Sequence, residues 1–292
     1  MKIAVIGLGN MGAPMAGNLI KSGFDVVGYD VTGGPADLPC ADSAGAAAKG
    51  ADVVVTMLPN GAIARAVAED VMPHMRFGTT LIDCSTIDVG TARDIFDMAS
   101  PKGVHVLDAP VSGGVGGAEN GTLTFMVGGC DKAFAAMASV FDAMGQKAVY
   151  CGGAGSGQAA KICNNMILGI TMIGTCEAIG LADALGLDRQ ALFDVVSTSS
   201  GASWSMNTYC PAPGVGPTSP ADAGYKPGFS AGLMLKDLGL AQMAAQESQA
   251  PTPLGAQARD LYAQFVDMPG GADKDFSAML VWLADQVRGD TI

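Results

Sequence analysis

Hydrophobic residues recur along this chain with two different spacings. Up to about residue 154, short unbroken runs of apolar and β-branched residues alternate with stretches of helical spacing. KIAVI at 2–6 has the composition of a parallel strand buried on both faces. A helical stretch from 11 to 22 follows and stops at Gly23, a natural residue just past a helix end. VVGYD at 26–30, VVVTML at 53–58 and TTLIDCST at 79–86 read as further strands, then a helix near 90–99. GVHVLDAP at 103–110, TLTFMVGG at 122–129 and AVYCG at 148–152 complete the series. Such alternation predicts a doubly wound, mostly parallel sheet over residues 1–154.

After residue 155 only the helical spacing persists. From 156 to 185 there is no proline and the stretch is apolar nearly all round. This predicts a helix of about 45 Å buried on several faces. It would form the spine of an all-helical domain over 155–292 and offer a face to a second subunit. Further helices are expected at 189–197, 235–249, 253–267 and 275–287. Between them, CPAPGVGPTSPADAGYKPGF at 210–229 is longer than ordinary connections. Two readings stay open for it: a floppy surface excursion, or a cover over a cleft. No internal repeat is visible.

The first strand runs into GLGNMG, so Gly7, Leu8, Gly9, Asn10, Met11 and Gly12 make a G-x-G-x-x-G loop between strand and helix. Gly7 permits the tight turn, Gly9 lets backbone approach a pyrophosphate, and Gly12 lets helix and strand pack closely. The helix N-terminus then faces the phosphate charge. Asp30 ends the second strand eighteen residues after Gly12, placed to accept hydrogen bonds from both ribose hydroxyls and to repel a 2′-phosphate. The expectation is NAD rather than NADP; the competing reading is glycines that serve packing alone.

Ligands of such sheets bind outside the carboxyl ends of strands. Leu58, Pro59, Ser85 and Thr86 are therefore candidate cofactor contacts, with helix capping before Gly90 the alternative for Ser85 and Thr86. In DAPVSGGVGGAENGT, at 108–122, Ser112, Gly113 and Gly114 could present a hydroxyl and unhindered N–H groups to a carboxylate. A mobile glycine-rich turn accounts for the same residues equally well.

Net charge of −12 argues against nucleic acid as a partner. Seven cysteines without CxxC spacing and only two histidines cannot assemble a zinc site by spacing. The cysteines read as small buried hydrophobes of a reducing compartment. The first residues already read as a core strand, so no leader is expected. The most apolar run, 166–176, has eleven uncharged residues, too few to cross a bilayer. A soluble, cytoplasmic protein follows as an expectation.

One cation is oddly placed. GSGQAAKICNN at 155–165 holds Lys161, with no acidic residue within nine positions on either side. Glycines 152, 153, 155 and 157 permit close backbone approach at the domain junction. Lys161 would project from the first turns of the spine helix with Asn165 on the same face. Beside a bound nicotinamide, an ammonium group can polarise a substrate oxygen and, where burial lowers its pKa, exchange the accompanying proton. The plain alternative is a lysine snorkelling to solvent. His74, at an expected helix end, and His105, inside an expected strand, lie in no convincing site loop, which moves the acid/base role toward Lys161.

GLGNMGAPMAGNL, DAPVSGG, GSGQAAKICNN and LKDLGLA, taken together and in this order, resemble the four signature regions of the β-hydroxyacid dehydrogenases, and the resemblance covers essentially the whole chain. SSGASWSMNTYCPAPGV and the loop ending YKPGF are similar to the branch acting on 3-hydroxyisobutyrate. The resemblance implies a Rossmann domain plus an all-α domain in a homodimer or homotetramer, with NAD as cofactor and a small 3-hydroxy acid as substrate. It implies oxidation of 3-hydroxyisobutyrate to methylmalonate semialdehyde, a step of valine breakdown. Lys161 matches the catalytic lysine and Asn165 the amide that holds substrate beside it. Ser112, Gly113 and Gly114 match the carboxylate-binding loop. Lys236 matches a lysine near the nicotinamide end of the cofactor and substrate, Thr86 a cofactor contact, and Leu58-Pro59 the loop beside the adenosine and phosphates. NADP-using relatives carry Asn-Arg where this chain has Asp30-Val31. The helical half lacks an arginine cluster for a phosphorylated substrate such as 6-phosphogluconate. Two alternatives remain: reduction of tartronate semialdehyde or turnover of another 3-hydroxy acid, and a non-catalytic dinucleotide-binding regulator, against which the lysine argues.

Overall fold

A computed structural model describes residues 1–289 and divides the chain into two compact units, one spanning Met1–Lys161 and the other starting at Ile162. The first unit is built on eight strands: β1 (Lys2–Ile6), β2 (Asp25–Tyr29), β3 (Val53–Thr56), β4 (Thr80–Asp83), β5 (His105–Asp108), β6 (Val111–Ser112), β7 (Leu123–Gly129) and β8 (Gly145–Gly152). Their order is β2-β1-β3-β4-β5-β7-β6, with β8 paired to β7. The first five are mutually parallel; β7 runs antiparallel to β5 and β6 and parallel to β8. The order reverses beside β1, so the carboxyl ends of β1 and β3 flank the crevice where such sheets take ligands.

Alternation of side chains across the pleat divides the apolar residues between two faces. Ile3, Val5, Val53, Val55 and Ile82 pack in one core with Met15 and Leu19, while Ala4, Ile6, Val54 and Leu81 pack in a second with Ala92 and Ile95. The covering helices are α1 (Gly12–Lys21), α2 (Ala44–Ala48), α3 (Gly61–Val71), α4 (Val89–Ala99), α5 (Gly114–Asn120), α6 (Asp131–Ala136) and α7 (Ala138–Met144). Of these, α2, α3, α6 and α7 were not anticipated from the sequence, and two expectations need correction. The stretch after Ser112 is not a glycine-rich loop, because Gly114–Asn120 is helical. The cysteines are not uniformly buried: Cys84, Cys176 and Cys210 are, whereas Cys40 and Cys163 are exposed and Cys130 and Cys151 lie between.

The turn from β1 into α1 depends on absent side chains. Gly7 sits at φ +92°, and a Cβ there would overlap the Met57 carbonyl oxygen. A Cβ on Gly12 would overlap the Gly7 carbonyl oxygen, and the neighbour is backbone that cannot rotate away. Gly12→Ala should therefore lower stability by about 1–3 kcal/mol or more, read as a drop in Tm; an unchanged melting curve would contradict the close approach.

The second unit is helical: α8 (Ser156–Leu185, beginning in the first unit), α9 (Arg189–Val196), α10 (Trp204–Asn207), α11 (Ala231–Ser248), α12 (Pro253–Asp267) and α13 (Met279–Gly289). Its core gathers Met172, Cys176 and Ile179 of α8 with Met234, Leu238, Tyr262 and Phe276. The whole of α8, unlike the run at 166–176, is long and apolar enough by composition to cross a membrane. Its buried residues pack into the protein core instead. The connection at 210–229 is tied down, against the floppy reading. The Ser219 hydroxyl donates to the Cys210 carbonyl and the Tyr225 hydroxyl to the Pro211 carbonyl. The N–H groups of Gly228 and Phe229 donate to buried Asp275, which also accepts from the Tyr209 hydroxyl.

Candidate functional site

In the first unit the glycine loop and Asp30 form one construction. The Gly7 N–H donates to the Tyr29 carbonyl at 2.9 Å, and the Leu8 N–H to Asp30 Oδ2 at 2.8 Å. Asp30 Oδ1 accepts from the Thr32 N–H and hydroxyl at 2.8 and 2.7 Å. Partial burial raises the pKa of this carboxyl, but the bonds from Thr32 and Leu8 outweigh it and hold the group below its usual range. It is an oriented, ionised acceptor.

Gly9 and Asn10 are exposed, and a Cβ on Gly9 would meet nothing within 4 Å, so the approach to the loop is open. Met11 supplies no side-chain cap to α1, and no acid stands in the first turn. The orphan N–H groups there are thus free of competing anions. These features fit the diphosphate and ribose of a dinucleotide.

Next to β1, the Leu58 N–H donates to Ser85 Oγ at 2.8 Å, and that hydroxyl donates to Asp83 Oδ1 at 2.6 Å. Ser85 is buried, and its hydroxyl is engaged within the protein. It does not cap α4, whose cap is Asp88 accepting from the Thr91 N–H. Leu58 and Thr86 are half-buried and Pro59 is exposed. Ser112, half-buried, ends β6; Gly113 and Gly114 follow at φ +131° and +62°, conformations that side chains disfavour.

Lys161 lies on α8, 7% exposed. The start of its helix is fixed from β5: Asp108 accepts from the Gly155 and Gln158 N–H groups at 2.8 and 2.9 Å. Burial pushes the Asp108 carboxyl upward more than these bonds pull it down.

In the second unit, buried Asn165 donates from Nδ2 to Asp237 Oδ2 at 2.5 Å and accepts from Asn164 Nδ2 at 2.9 Å. Lys236, on α11 and partly exposed, has Nζ 3.7 Å from Asp237 Oδ1. His105 is exposed at the start of β5, the end away from the ligand loops. The His74 ring packs on the α2 residue Gly45, in the path of any Cβ added there. Among the described residues no three His, Cys, Asp or Glu groups could hold a metal ion together.

Comparison with known proteins is consistent with this arrangement. Residues 2–153 match the family model described as the NAD binding domain of 6-phosphogluconate dehydrogenase. Residues 155–283 match that described as NAD-binding of NADP-dependent 3-hydroxyisobutyrate dehydrogenase. A probable 3-hydroxyisobutyrate dehydrogenase of Mycobacterium tuberculosis is 48% identical over 291 residues, covering 95% of this chain and 96% of that protein. The chain belongs to the 3-hydroxyisobutyrate dehydrogenase family. A solved structure of the Mycobacterium tuberculosis 3-hydroxyisobutyrate dehydrogenase with L-serine superposes with a TM-score of 0.91 at 46% identity, covering 97% of this chain and 98% of that one. An NAD-dependent L-serine dehydrogenase of Pseudomonas aeruginosa is 46% identical over 287 residues, with 95% and 96% covered.

As a member of that family the protein is an oxidoreductase, an NAD-dependent dehydrogenase with an N-terminal Rossmann domain and a helical C-terminal domain. Its substrate falls in the class of small hydroxy acids. Sequence reasoning did not single out Asp237, Asp108 or Gln158. Asp237 was within reach, since it adjoins Lys236 in LKDLGLA and an acid among apolar neighbours signals a buried pairing. For Asp108 and Gln158 the partners lie too far along the chain for any local pattern.

Proposed function

We propose that this dehydrogenase oxidises 3-hydroxyisobutyrate to methylmalonate semialdehyde, with Lys161 as general base, in the breakdown of valine. The observation that carries the reading is the burial of Lys161 on the first turns of α8, since buried ionisable groups cluster at functional sites. When bound, NAD supplies the hydride acceptor. Lys161 Nζ takes the hydroxyl proton as the carbinol C–H bond breaks, and returns it in the reverse direction. The Ser112 hydroxyl and the N–H groups of Gly113 and Gly114 hold the substrate carboxylate, and Asn165 steadies the hydroxyl end from the same helix as Lys161. Leu58, Pro59 and Thr86 contact the nucleotide, and Lys236 stands near its nicotinamide end. An acidic chain with apolar residues exposed along α8, among them Ile167, Leu181 and Leu185, supports a cytoplasmic homodimer or homotetramer joined through that helix.

A second substrate reading has its own support. L-serine is also a 3-hydroxy acid, and both a relative's name and a solved structure's title carry it. Parallel assays of 3-hydroxyisobutyrate, L-serine, glycerate and 3-hydroxypropionate with NAD decide between them. The methyl group of 3-hydroxyisobutyrate should give it about tenfold or more in kcat/KM over 3-hydroxypropionate. L-serine or glycerate ranking first would replace the assignment, and reduction of tartronate semialdehyde would then be tested as the reverse reaction. Binding of NADH with no turnover of any acid would favour a regulator.

A further inference from the structure

Gln158 has no exposed surface, and its side chain spends both ends on backbone at one place. Nε2 donates to the Ser85 carbonyl at 2.7 Å, and Oε1 accepts from the Ile87 N–H at 3.1 Å. The two groups flank Thr86. A primary amide at this reach offers a donor and an acceptor side by side at any pH, as another strand would. Its own N–H is held by Asp108 Oδ2 at 2.9 Å, and the Gly155 N–H by Asp108 Oδ1. Residue 158 is one turn before Lys161 on α8.

The same carboxylate stands four residues before Ser112 in the chain. Asp108 also pairs in register with Asp83, two residues before Ser85. A separate chain of bonds runs from the Leu58 N–H through Ser85 Oγ to Asp83. Gln158 is thus the place where the segment after β4, the carboxyl end of β5 and the first turn of α8 are joined by hydrogen bonds.

We propose that Gln158 is a positioning residue for the reaction, its amide clamping residues 85–87 to the helix turn that presents Lys161. The clamp sets Thr86 and Lys161 in one rigid frame, so cofactor placement and proton exchange depend on the same side chain. This rests on the reading of Lys161 as base and of Thr86 as a cofactor contact. A purely structural amide would contribute to stability alone. A positioning amide also changes how the folded protein binds and turns over its ligands.

Gln158→Met keeps length and burial and removes both bonds. Expected for the folded variant is an NADH Kd raised by roughly 10-fold and a kcat lowered by roughly 10- to 100-fold, the scale of unmade buried hydrogen bonds read through mutant kinetics. KM for the hydroxy acid should change less than kcat. A lowered Tm with NADH Kd and kcat unchanged overturns the proposal. NADH titration needs no substrate, so an unaltered Kd overturns it even if the enzyme turns over none of the acids tested, an outcome that would separately remove the substrate assignment.

If Gln158→Met does not fold, Gln158→Glu keeps the acceptor and, when protonated, regains a donor. Burial and the Asp108 carboxylate, which accepts from the residue 158 N–H, favour the protonated form of the introduced acid, while Lys161 one turn along α8 opposes it. The variant-to-wild-type ratio of NADH Kd should then fall toward one between pH 8 and pH 5.5. A ratio that is still well above one at pH 5.5 overturns the clamp.

Discussion

Replacing Lys161 with alanine is expected to lower kcat by about a thousandfold, within the range that a positioned acid/base group supplies. The Kd for NADH should stay within about twofold, because uniform binding and transition-state stabilisation separate in such variants. The proposed nucleotide contacts, the Gly7–Gly12 loop with α1, Asp30, Leu58, Pro59 and Thr86, all lie off α8. Two further variants separate charge from proton exchange. Lys161→Met keeps the stem and loses the amine, and should be as inactive as the alanine form. Lys161→Arg keeps a positive charge on a group that does not deprotonate in proteins. If Lys161 exchanges the hydroxyl proton, the arginine variant is also inactive at neutral pH. If the side chain acts only as a fixed charge, arginine recovers a substantial part of kcat. Full kcat in Lys161→Ala, with Tm confirming the fold, removes the mechanism outright.

The legibility of this fold follows from where each element takes its stability. The β1 run is solidly apolar and β-branched because it is covered on both faces, so its bounds could be read directly. Residues 156–185 form one helix over the expected span, since apolar spacing unbroken by proline leaves no other element to build. α3 was missed although its start was written in the chain: Asn60 caps it by accepting from the Ile63 N–H, and Pro59-Asn60-Gly61 reads equally well as a turn. α5 could not have been read at all. GVGGAEN has poor helix propensity, and its helix is held by tertiary contacts, including buried Asn18, which donates from α1 to the Ala118 carbonyl at 2.7 Å.

The site divides along the same line. The glycine loop, Asp30 and Lys161 belong to short local patterns that local chemistry explains. Asp108, Gln158 and Asp237 act through bonds between residues 47 to 73 positions apart. A buried amide in a run of small residues looks from the sequence like any other glutamine. Ser85 shows the converse: a hydroxyl at the carboxyl end of a strand has the pattern of a ligand contact, yet it is engaged in holding the Leu58 loop.

Exchanging Asp30-Val31 for Asn-Arg is expected to reverse the cofactor preference. The ratio of kcat/KM for NAD to that for NADP should fall by roughly 10²- to 10⁴-fold, the product of a lost charged acceptor and a gained charged donor, each worth a charged hydrogen bond. The bonds from Thr32 and Leu8 hold the Asp30 carboxyl below where an aspartate ordinarily titrates, so it is ionised at every pH near neutrality. Discrimination against the 2′-phosphate should therefore not vary with pH above about 7, where the phosphate, with a second pKa of about 6, is fully ionised as well. Val31 is 87% exposed, so an arginine there has room to reach a phosphate without displacing any packed neighbour. The asparagine keeps one oxygen for either the Leu8 N–H or the Thr32 pair, not both, so NAD binding weakens as well. Val31→Arg alone separates the two causes: with Asp30 still charged, NADP should improve far less than in the double variant, and less still at high salt, where the exposed guanidinium is screened. If the single change switches preference as completely as the pair, repulsion by Asp30 does not set the choice of cofactor, and the carboxylate serves only to brace the glycine loop through Leu8.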